Sequence, residues 1–123
     1  HGKFTGTVSL ANNGGFTSIR CNLPPTAIAP KTKISMRIKG DGKNYQLRIK
    51  ANRRDYASYV KEFNTTGQWQ EVRIALKDMY PSFRGRRLNR SNFEGDYFSQ
   101  LSLLIGNKKA ERFSLEIESI KLQ

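Results

Sequence analysis

Polar and apolar residues alternate along much of the chain, most regularly between Lys33 and Lys50. Every second residue is apolar on both sides of a Gly40-Asp41-Gly42 segment. Strict alternation is typical of a strand with one buried and one solvated face, and glycine tolerates the positive φ that a tight reversal needs. The pattern therefore predicts a β-hairpin with an apolar face and a cationic face. Its apolar positions are Ile34, Met36, Ile38, Tyr45, Leu47 and Ile49.

The same alternation predicts six further strands. In the last of them the apolar phase slips near Glu118-Ser119, which indicates a bulge. Helical spacing also fits Tyr56–Phe63, but its aromatic and β-branched residues and its neighbours favour a strand. The first two strands are predicted to form a hairpin, Phe4–Leu10 with Phe16–Cys21, around a turn at residues 11–15, and residues 106–111 form a later turn. The six strands span Lys3–Leu10, Phe16–Arg20, Tyr56–Phe63, Gln68–Leu76, Tyr97–Ile105 and Arg112–Leu122.

Two segments lack the alternation. Asn22–Lys31 contains three prolines and is predicted to be a surface connection, because proline cannot donate to an interior strand. Lys77–Asp96 is polar and rich in arginine, and it is predicted to be a long loop. Long loops within compact domains are often functional.

Regular strand spacing sets the expected fold class. About eight strands with turns every 8–12 residues predict an all-β sandwich or barrel, and 123 residues favour a single domain over residues 1–123. The 37% hydrophobic and 26% charged residues indicate a soluble, ordered protein. Cys21 is the only cysteine, which excludes an internal disulfide and suits a reducing compartment.

The charge balance points to anionic partners. The chain has 22 Lys and Arg residues against 10 Asp and Glu residues, a net charge of +12. Such a balance favours nucleic acid, acidic lipid or an acidic protein surface, with general solubility as the alternative. The charge is spread along the chain, with no basic tail and no helix-turn-helix, zinc-finger or RNA-recognition motif.

Two groups of basic residues are candidate binding sites. The densest group lies in the long predicted loop, where arginine forks suit carboxylates and phosphates; the alternative is a solvated loop balanced by nearby acidic residues. The second group lies on the outward face of the Lys33–Lys50 hairpin, either as an anion-binding strip or neutralised by Glu116 and Glu118. The members are Arg84, Arg86, Arg87 and Arg90 in the loop, and Arg37, Lys39, Arg48 and Lys50 on the hairpin.

Catalysis has little support in the sequence. The lone histidine is His1, so a Ser-His-Asp or Cys-His arrangement is implausible. Cys21 lacks an activating histidine and is predicted to be a structural thiol. Asp41 fits a turn better than a phosphate loop or calcium site, because no helix follows it and no acidic cluster surrounds it. We expect no enzyme activity, no metal and no cofactor.

The aromatic residues divide into core and contact candidates. Trp69 is the only tryptophan and, at the start of a strand, is predicted to anchor the core; the alternative is stacking on a sugar or base. Tyr45 is also expected in the core. Tyr56 and Tyr59 are three positions apart and cannot both point inward from a regular strand. One of them, with Tyr59 as the candidate contact residue, is expected to be exposed.

Several motifs, taken in order, resemble the complex I intermediate-associated protein family. Together they cover most of the chain, although each motif alone is weak. They are Phe4-x-Gly6, Asn12-Asn13-Gly14-Gly15-Phe16, Lys39-Gly40-Asp41-Gly42-Lys43-x-Tyr45, Phe63 with Gln68-Trp69, Phe83-x-Gly85 and Phe113-x-Leu115-Glu116-Ile117-x-x-Ile120. The resemblance implies a galactose-binding-like jelly-roll sandwich with a non-enzymatic role. Eukaryotic members assist the assembly of respiratory complex I in mitochondria, and many bacterial members have no assigned role.

Two departures from the family pattern accompany the resemblance. Members usually carry a further segment before the Phe-x-Gly strand, whereas here His1 lies next to it; we expect that the segment was removed or that this member is short. Proline often follows the tryptophan strand, where this chain has Ala75-Leu76-Lys77.

The sequence leaves three functions open. The first is a non-catalytic assembly-factor module that contacts a protein partner. The second is a carbohydrate-binding module, suggested by the fold class alone, and the third is non-specific binding of nucleic acid or an anionic surface, suggested by the net charge. An intracellular location is favoured, and the family resemblance implies a mitochondrial one if the protein is eukaryotic. The candidate contact residues are Arg84, Arg86, Arg87, Arg90, Arg37, Arg48 and Tyr59.

Overall fold

Ten strands account for most of the residues that the computed structural model describes, which are 2–8, 17–28, 32–52, 54–84, 86–105 and 111–123. No α-helix occurs in these ranges; a single 3₁₀ turn spans Leu76–Asp78. The strands are β1 (Gly2–Val8), β2 (Thr17–Ala27), β3 (Lys33–Lys39), β4 (Asn44–Lys50), β5 (Ser58–Asn64), β6 (Trp69–Ala75), β7 (Tyr80–Phe83), β8 (Arg86–Arg87), β9 (Tyr97–Ile105) and β10 (Glu111–Leu122).

The strands form two antiparallel sheets. The four-stranded sheet has the order β1-β10-β3-β6, and the six-stranded sheet has the order β2-β9-β4-β5-β7-β8. The predicted all-β sandwich is confirmed. Among the described residues, no helix has the length and apolar character that crossing a membrane would need.

The two predicted hairpins are wrong, although their strands are present. β3 pairs with β10 and β6, whereas β4 pairs with β9 and β5. The chain therefore crosses from one sheet to the other at residues 40–43. β1 and β2 are separated in the same way, because β1 pairs with β10 and β2 with β9. Alternation determines which face of a strand is buried, but it does not determine the neighbouring strand.

Strands also extend into both segments that the sequence assigned to loops. β2 continues through Pro24 and Pro25 to Ala27, with a shift in register between Asn22 and Thr26. An edge strand with a bulge tolerates proline, because the missing N–H is not needed there. Lys77–Asp96, predicted to be a long loop, contains part of the 3₁₀ turn and both β7 and β8.

Other local predictions are confirmed. β5 (Ser58–Asn64) covers most of Tyr56–Phe63, as the strand interpretation required. The register of β10 against β3 shifts between Ile117 and Ser119, where the apolar phase slips. The predicted turns at residues 11–15 and 106–110 and the side chain of Cys21 lie outside what the structure describes.

The core lies between the two sheets. Tyr45 is fully buried, as predicted. Trp69 is 37% exposed, so its predicted core position is wrong. Val72 and Ile74 pack inward from β6, which directs Trp69, an odd number of positions away, to the outer face. The principal core residues are Ile34, Met36, Ile38, Leu47, Ile49, Phe63, Met79, Leu103, Ile105, Phe113 and Leu115.

A carboxylate fixes the crossing between the sheets. Asp41 Oδ2 accepts a 2.7 Å hydrogen bond from the Ser114 N–H, and its Oδ1 lies 3.0 Å from the Tyr45 hydroxyl and 3.2 Å from the Lys43 N–H. Burial alone would raise the pKa of Asp41, but the bonds from Ser114, Tyr45 and Lys43 outweigh it and hold the pKa below its usual value of 3.8. The Asp41 carboxylate therefore joins β10 to the loop between β3 and β4, which supports its predicted structural role.

Candidate functional site

The structure distributes the predicted site residues over two faces of the sandwich. Arg48 and Arg87 line a groove on the outer face of the six-stranded sheet. Arg84, Arg86, Arg90 and Tyr59 lie around the β7–β8 edge of the same sheet. Arg37 lies on the four-stranded sheet, so it does not belong with the other candidates.

The groove, which we call the outer groove, crosses β4, β5, β7 and β8 and has a volume of about 330 Å³. Arg48 lies opposite Val60, and Val60 lies opposite Tyr80. Val60 and Ser82 form its buried floor, with 1% and 6% exposure. Its lining residues are Gln46, Arg48, Val60, Glu62, Tyr80, Ser82 and Arg87.

Polar contacts position the side chains of the outer groove. Arg48 donates two hydrogen bonds, of 3.0 and 2.8 Å, to Gln46 Oε1. The Tyr80 hydroxyl donates to Glu62 Oε1, and the Arg87 guanidinium lies 4.7 Å from the centroid of the Tyr80 ring. Burial, together with the hydrogen bond and negative charge of Glu62, raises the pKa of Tyr80 to about 12. The phenol therefore keeps its proton at physiological pH and acts as a hydrogen-bond donor to Glu62.

Arginine and aromatic side chains cluster on the other side of the β7–β8 edge. Arg90 donates 3.3 Å hydrogen bonds to the hydroxyls of Tyr56 and Tyr59, and the bond to Tyr56 is the main cause that raises the pKa of Arg90 above its usual value. The Tyr56 and Phe83 rings meet edge to face at 5.3 Å. The Arg84 guanidinium lies 5.2 Å from the Phe83 ring centroid. We call this cluster the edge patch; its members are Tyr56, Tyr59, Phe83, Arg84 and Arg90.

The edge patch is exposed to solvent, and its conformation is set by the packing of Tyr59 and by the backbone at Arg84. Tyr56 is 56% exposed and Phe83 is 37% exposed, which agrees with the prediction that one of Tyr56 and Tyr59 lies outside the core. Tyr59 is half-buried and packs edge to face on Phe93 at 5.1 Å. Arg84 has a φ of 51° at the turn between β7 and β8, in the left-handed region that non-glycine residues seldom occupy.

The predicted cationic strip on the hairpin is wrong, because β3 and β4 belong to different sheets. On the four-stranded sheet, Arg37 Nε lies 2.6 Å from a carboxylate oxygen of Glu118, and Lys39 lies opposite Glu116 in register. The last strand thus supplies an ion-pair partner for Arg37 and lies beside Lys39, whereas Arg48 is on the other sheet. The Arg37 guanidinium also lies 5.7 Å from the Trp69 ring centroid.

Several groove and patch residues were missed from the sequence. Glu62 and Tyr80 were not candidates, because the sequence does not show that β5 pairs with β7, with Val60 opposite Tyr80. Phe83 was used only as a family marker. The alternating phase within each strand was available as a signal, since it separates Tyr80 and Ser82 from Phe83. Across the described residues, no group of three or more His, Cys, Asp or Glu side chains is placed to hold a metal ion.

Comparison with known proteins gives the family. Residues 1–117 match the family model described as complex I intermediate-associated protein 30 (CIA30). The chain belongs to the CIA30 family. A search of curated proteins gives no significant match to this CIA30-family chain.

Two solved structures share the fold of this CIA30-family chain. One is a family 11 carbohydrate-binding module from Clostridium thermocellum in complex with a beta-1,3-1,4-mixed-linked tetrasaccharide, with 16% identity, a TM-score of 0.66 and coverage of 99% of this chain and 84% of that chain. The other is the family 11 module of the cellulosomal cellulase Lic26A-Cel5E of Clostridium thermocellum, with 17% identity, a TM-score of 0.67 and coverage of 99% and 82%. They confirm the galactose-binding-like jelly-roll sandwich and, at this identity, show the fold alone.

Proposed function

We propose that this CIA30-family protein is a non-catalytic binding module that contacts a protein partner through the edge patch and the adjoining strand β8. The observation that supports the proposal is the exposure of Tyr56 and Phe83 among arginines at one edge of the six-stranded sheet. Tyrosine, phenylalanine and arginine are enriched at protein interfaces, and tyrosine and arginine often supply much of the binding energy.

The charge of the patch indicates the kind of partner. Arg84 and Arg90 belong to the patch, and Arg86, exposed on β8, lies opposite Phe83 in register. A partner with acidic side chains would be steered towards this edge and would accept paired hydrogen bonds from the guanidiniums. Because the family is named for its association with complex I intermediates, the partner to test is an acidic surface on an assembly intermediate of respiratory complex I.

Charge reversal at the edge tests the proposal. Purified complex I assembly intermediates are titrated onto the immobilised protein, and affinity is compared between wild type and the R84E/R86E variant. We expect the variant to bind at least about tenfold more weakly, because two attractive pairs become repulsive. The matched control is R73E/K121E, which makes the same charge change at exposed positions on β6 and β10 of the other sheet and should bind as wild type does.

Two results would contradict the proposal. Wild type that binds no intermediate excludes this partner, and equal binding by R84E/R86E and wild type excludes this surface. If the control weakens binding as much as the edge variant does, the interaction reflects net charge alone and the edge patch has no specific role.

Saccharide binding in the outer groove is the second candidate function. The groove is polar and lies on the outer face of a sheet, and a structural neighbour with the same fold is in complex with a tetrasaccharide. Titration of the protein with that mixed-linked tetrasaccharide and with shorter glycans, followed by NMR of backbone amides in β4, β5 and β7, tests this candidate. Shifts confined to the four-stranded sheet, or no shifts at all, would exclude it.

A further inference from the structure

We infer that the outer groove is selective for an acidic sugar, meaning a saccharide unit that carries a carboxylate or phosphate group. Arg48 and Arg87 hold the anion, while Glu62 and Gln46 hold ligand hydroxyls. This inference rests on the second candidate function, saccharide binding in the same groove.

The charges that line the groove favour an anion. Two guanidiniums, from Arg48 and Arg87, and one carboxylate, from Glu62, are found among its lining residues. Val60 and Ser82 are almost completely buried beneath them, whereas Glu62 and Arg87 are exposed. The lining of the groove therefore has a surplus of one positive charge above a buried floor.

The strand order places the two arginines on different sides of the same groove. Arg48 is on β4 and Arg87 is on β8, three strand spacings apart, or about 14 Å between backbones. Val60 and Tyr80 lie between them on β5 and β7. Both positive charges act on the Tyr80 phenol, where they oppose the influence of Glu62. The Arg87 guanidinium lies over the Tyr80 ring and the Arg48 guanidinium is held by Gln46, so the two cations line two sides of the same groove.

The position of Arg87 disfavours a neutral sugar. Its guanidinium covers the Tyr80 ring at 4.7 Å, which is the face on which a neutral sugar ring would stack. A neutral ligand must displace this cation to reach the ring. An acidic ligand can instead bind the guanidinium where it lies, through charge-assisted hydrogen bonds.

The remaining groups in the groove suit hydroxyls. Glu62 supplies carboxylate oxygens that accept hydrogen bonds, the Gln46 NH₂ group donates because the Gln46 oxygen already accepts from Arg48, and the Ser82 hydroxyl both donates and accepts. The volume of about 330 Å³ lies at the lower end of the range for small-molecule sites, about 300–1,000 Å³. The groove therefore suits a monosaccharide or the terminal unit of a glycan.

Matched pairs of sugars test the selectivity. The protein is titrated with methyl glucosides, galactosides and mannosides and with the methyl glycosides of the corresponding uronic acids, which differ only in the carboxylate at C6. In a second comparison it is titrated with glucose 6-phosphate and with inorganic phosphate. Binding is followed by amide shifts in β4, β5 and β7. We expect at least one acidic sugar to bind about tenfold or more tightly than its neutral counterpart, and glucose 6-phosphate to bind more tightly than phosphate.

Variants assign the selectivity to the groove. In R87A the ratio of affinities for the acidic and the neutral sugar is expected to fall at least about tenfold. In R87K it should fall less, because lysine keeps the charge without the planar fork. The control R73A removes an arginine from β6 on the other sheet and should keep the wild-type preference. If R87A does not give a dispersed spectrum, R87K provides the same test.

Each contrary result has its own meaning. Neutral sugars that bind as tightly as their acidic counterparts overturn the inference but leave saccharide binding in place, whereas no binding of any sugar overturns both. Phosphate that binds as tightly as glucose 6-phosphate shows a simple anion site and overturns the inference. An unchanged preference in both R87A and R87K overturns the assignment to this groove.

Discussion

Replacing Asp41 with asparagine tests whether its carboxylate holds the two sheets together. Each protein group that contacts the carboxylate can act as a donor: the Ser114 and Lys43 N–H groups, the Tyr45 hydroxyl and the Lys43 ammonium, whose Nζ lies 3.5 Å away. An asparagine has one acceptor oxygen and one NH₂ group. In D41N the NH₂ group must therefore face at least one donor.

The cost can be worked from these contacts. A hydrogen bond to a charged group contributes about 1.5–3 kcal/mol, and a buried donor left without an acceptor costs about 1–3 kcal/mol. The Tyr45 hydroxyl lies 3.2 Å from the Ser114 carbonyl oxygen, so it retains a partner. We therefore expect D41N to reduce the free energy of unfolding by about 2–4 kcal/mol, a large part of the roughly 5–15 kcal/mol typical of a domain.

Equilibrium unfolding in urea, followed by circular dichroism, measures this loss at pH 7. The control is D78N, because Asp78 is exposed in the 3₁₀ turn, and its unfolding free energy should change by less than about 0.5 kcal/mol. A loss below about 1 kcal/mol in D41N, with an unchanged urea dependence, would refute the assignment of Asp41 as the link between the sheets.

The pH dependence gives a second check on the same carboxylate. The folded-state pKa of Asp41 lies below its usual value of 3.8, so its contribution is complete above about pH 5 and is lost as the pH falls through the folded pKa. The difference in unfolding free energy between wild type and D41N should therefore be constant from pH 5 to 7 and shrink below pH 4. A difference that grows on acidification would contradict this interpretation.

Two further substitutions test other positions by the same unfolding measurement. G40A should cost about 2–3 kcal/mol or more, because the new Cβ would clash with the Thr65 Cβ and Thr65 is held by a 2.8 Å hydrogen bond from its hydroxyl to the Lys43 carbonyl. Adding T65G should recover part of this loss, and full additivity of the two substitutions would contradict the clash. W69A should lower the free energy of unfolding by less than about 1 kcal/mol, because Trp69 is partly exposed on the outer face. F63A, which removes a core side chain, should lower it by about 3–5 kcal/mol, and equal losses in the two variants would show that Trp69 belongs to the core.

Alternation in the sequence located most strands but not their neighbours. It gave β3, β4 and β9 nearly to the residue, since one buried face imposes a period of two. A glycine-rich turn looks the same whether the chain reverses within a sheet or crosses to the other sheet. The difference depends on contacts such as Asp41 to Ser114, which are 73 residues apart and leave no local pattern.

The candidate surfaces show the same limit. The arginines of residues 84–90 were singled out by density alone, but the groove also requires Glu62 and Tyr80, which come together only when β5 and β7 pair. Trp69 is a different case, because the phase of Val72 and Ile74 already placed it on the outer face. The prediction was wrong because it relied on the usual burial of tryptophan and not on the alternation of residues along β6.

The central position of β10 has a consequence for how this protein is made. β10 is the last of the ten strands in chain order, yet it lies between β1 and β3, and Gly2 pairs with Ile117. Until β10 leaves the ribosome, β1 and β3 both have open edges that other chains can pair with. Contacts so distant in sequence also form slowly. The four-stranded layer can therefore close only after β10 has been made, and the interval before closure is when the nascent chain is most exposed to aggregation and most in need of a chaperone.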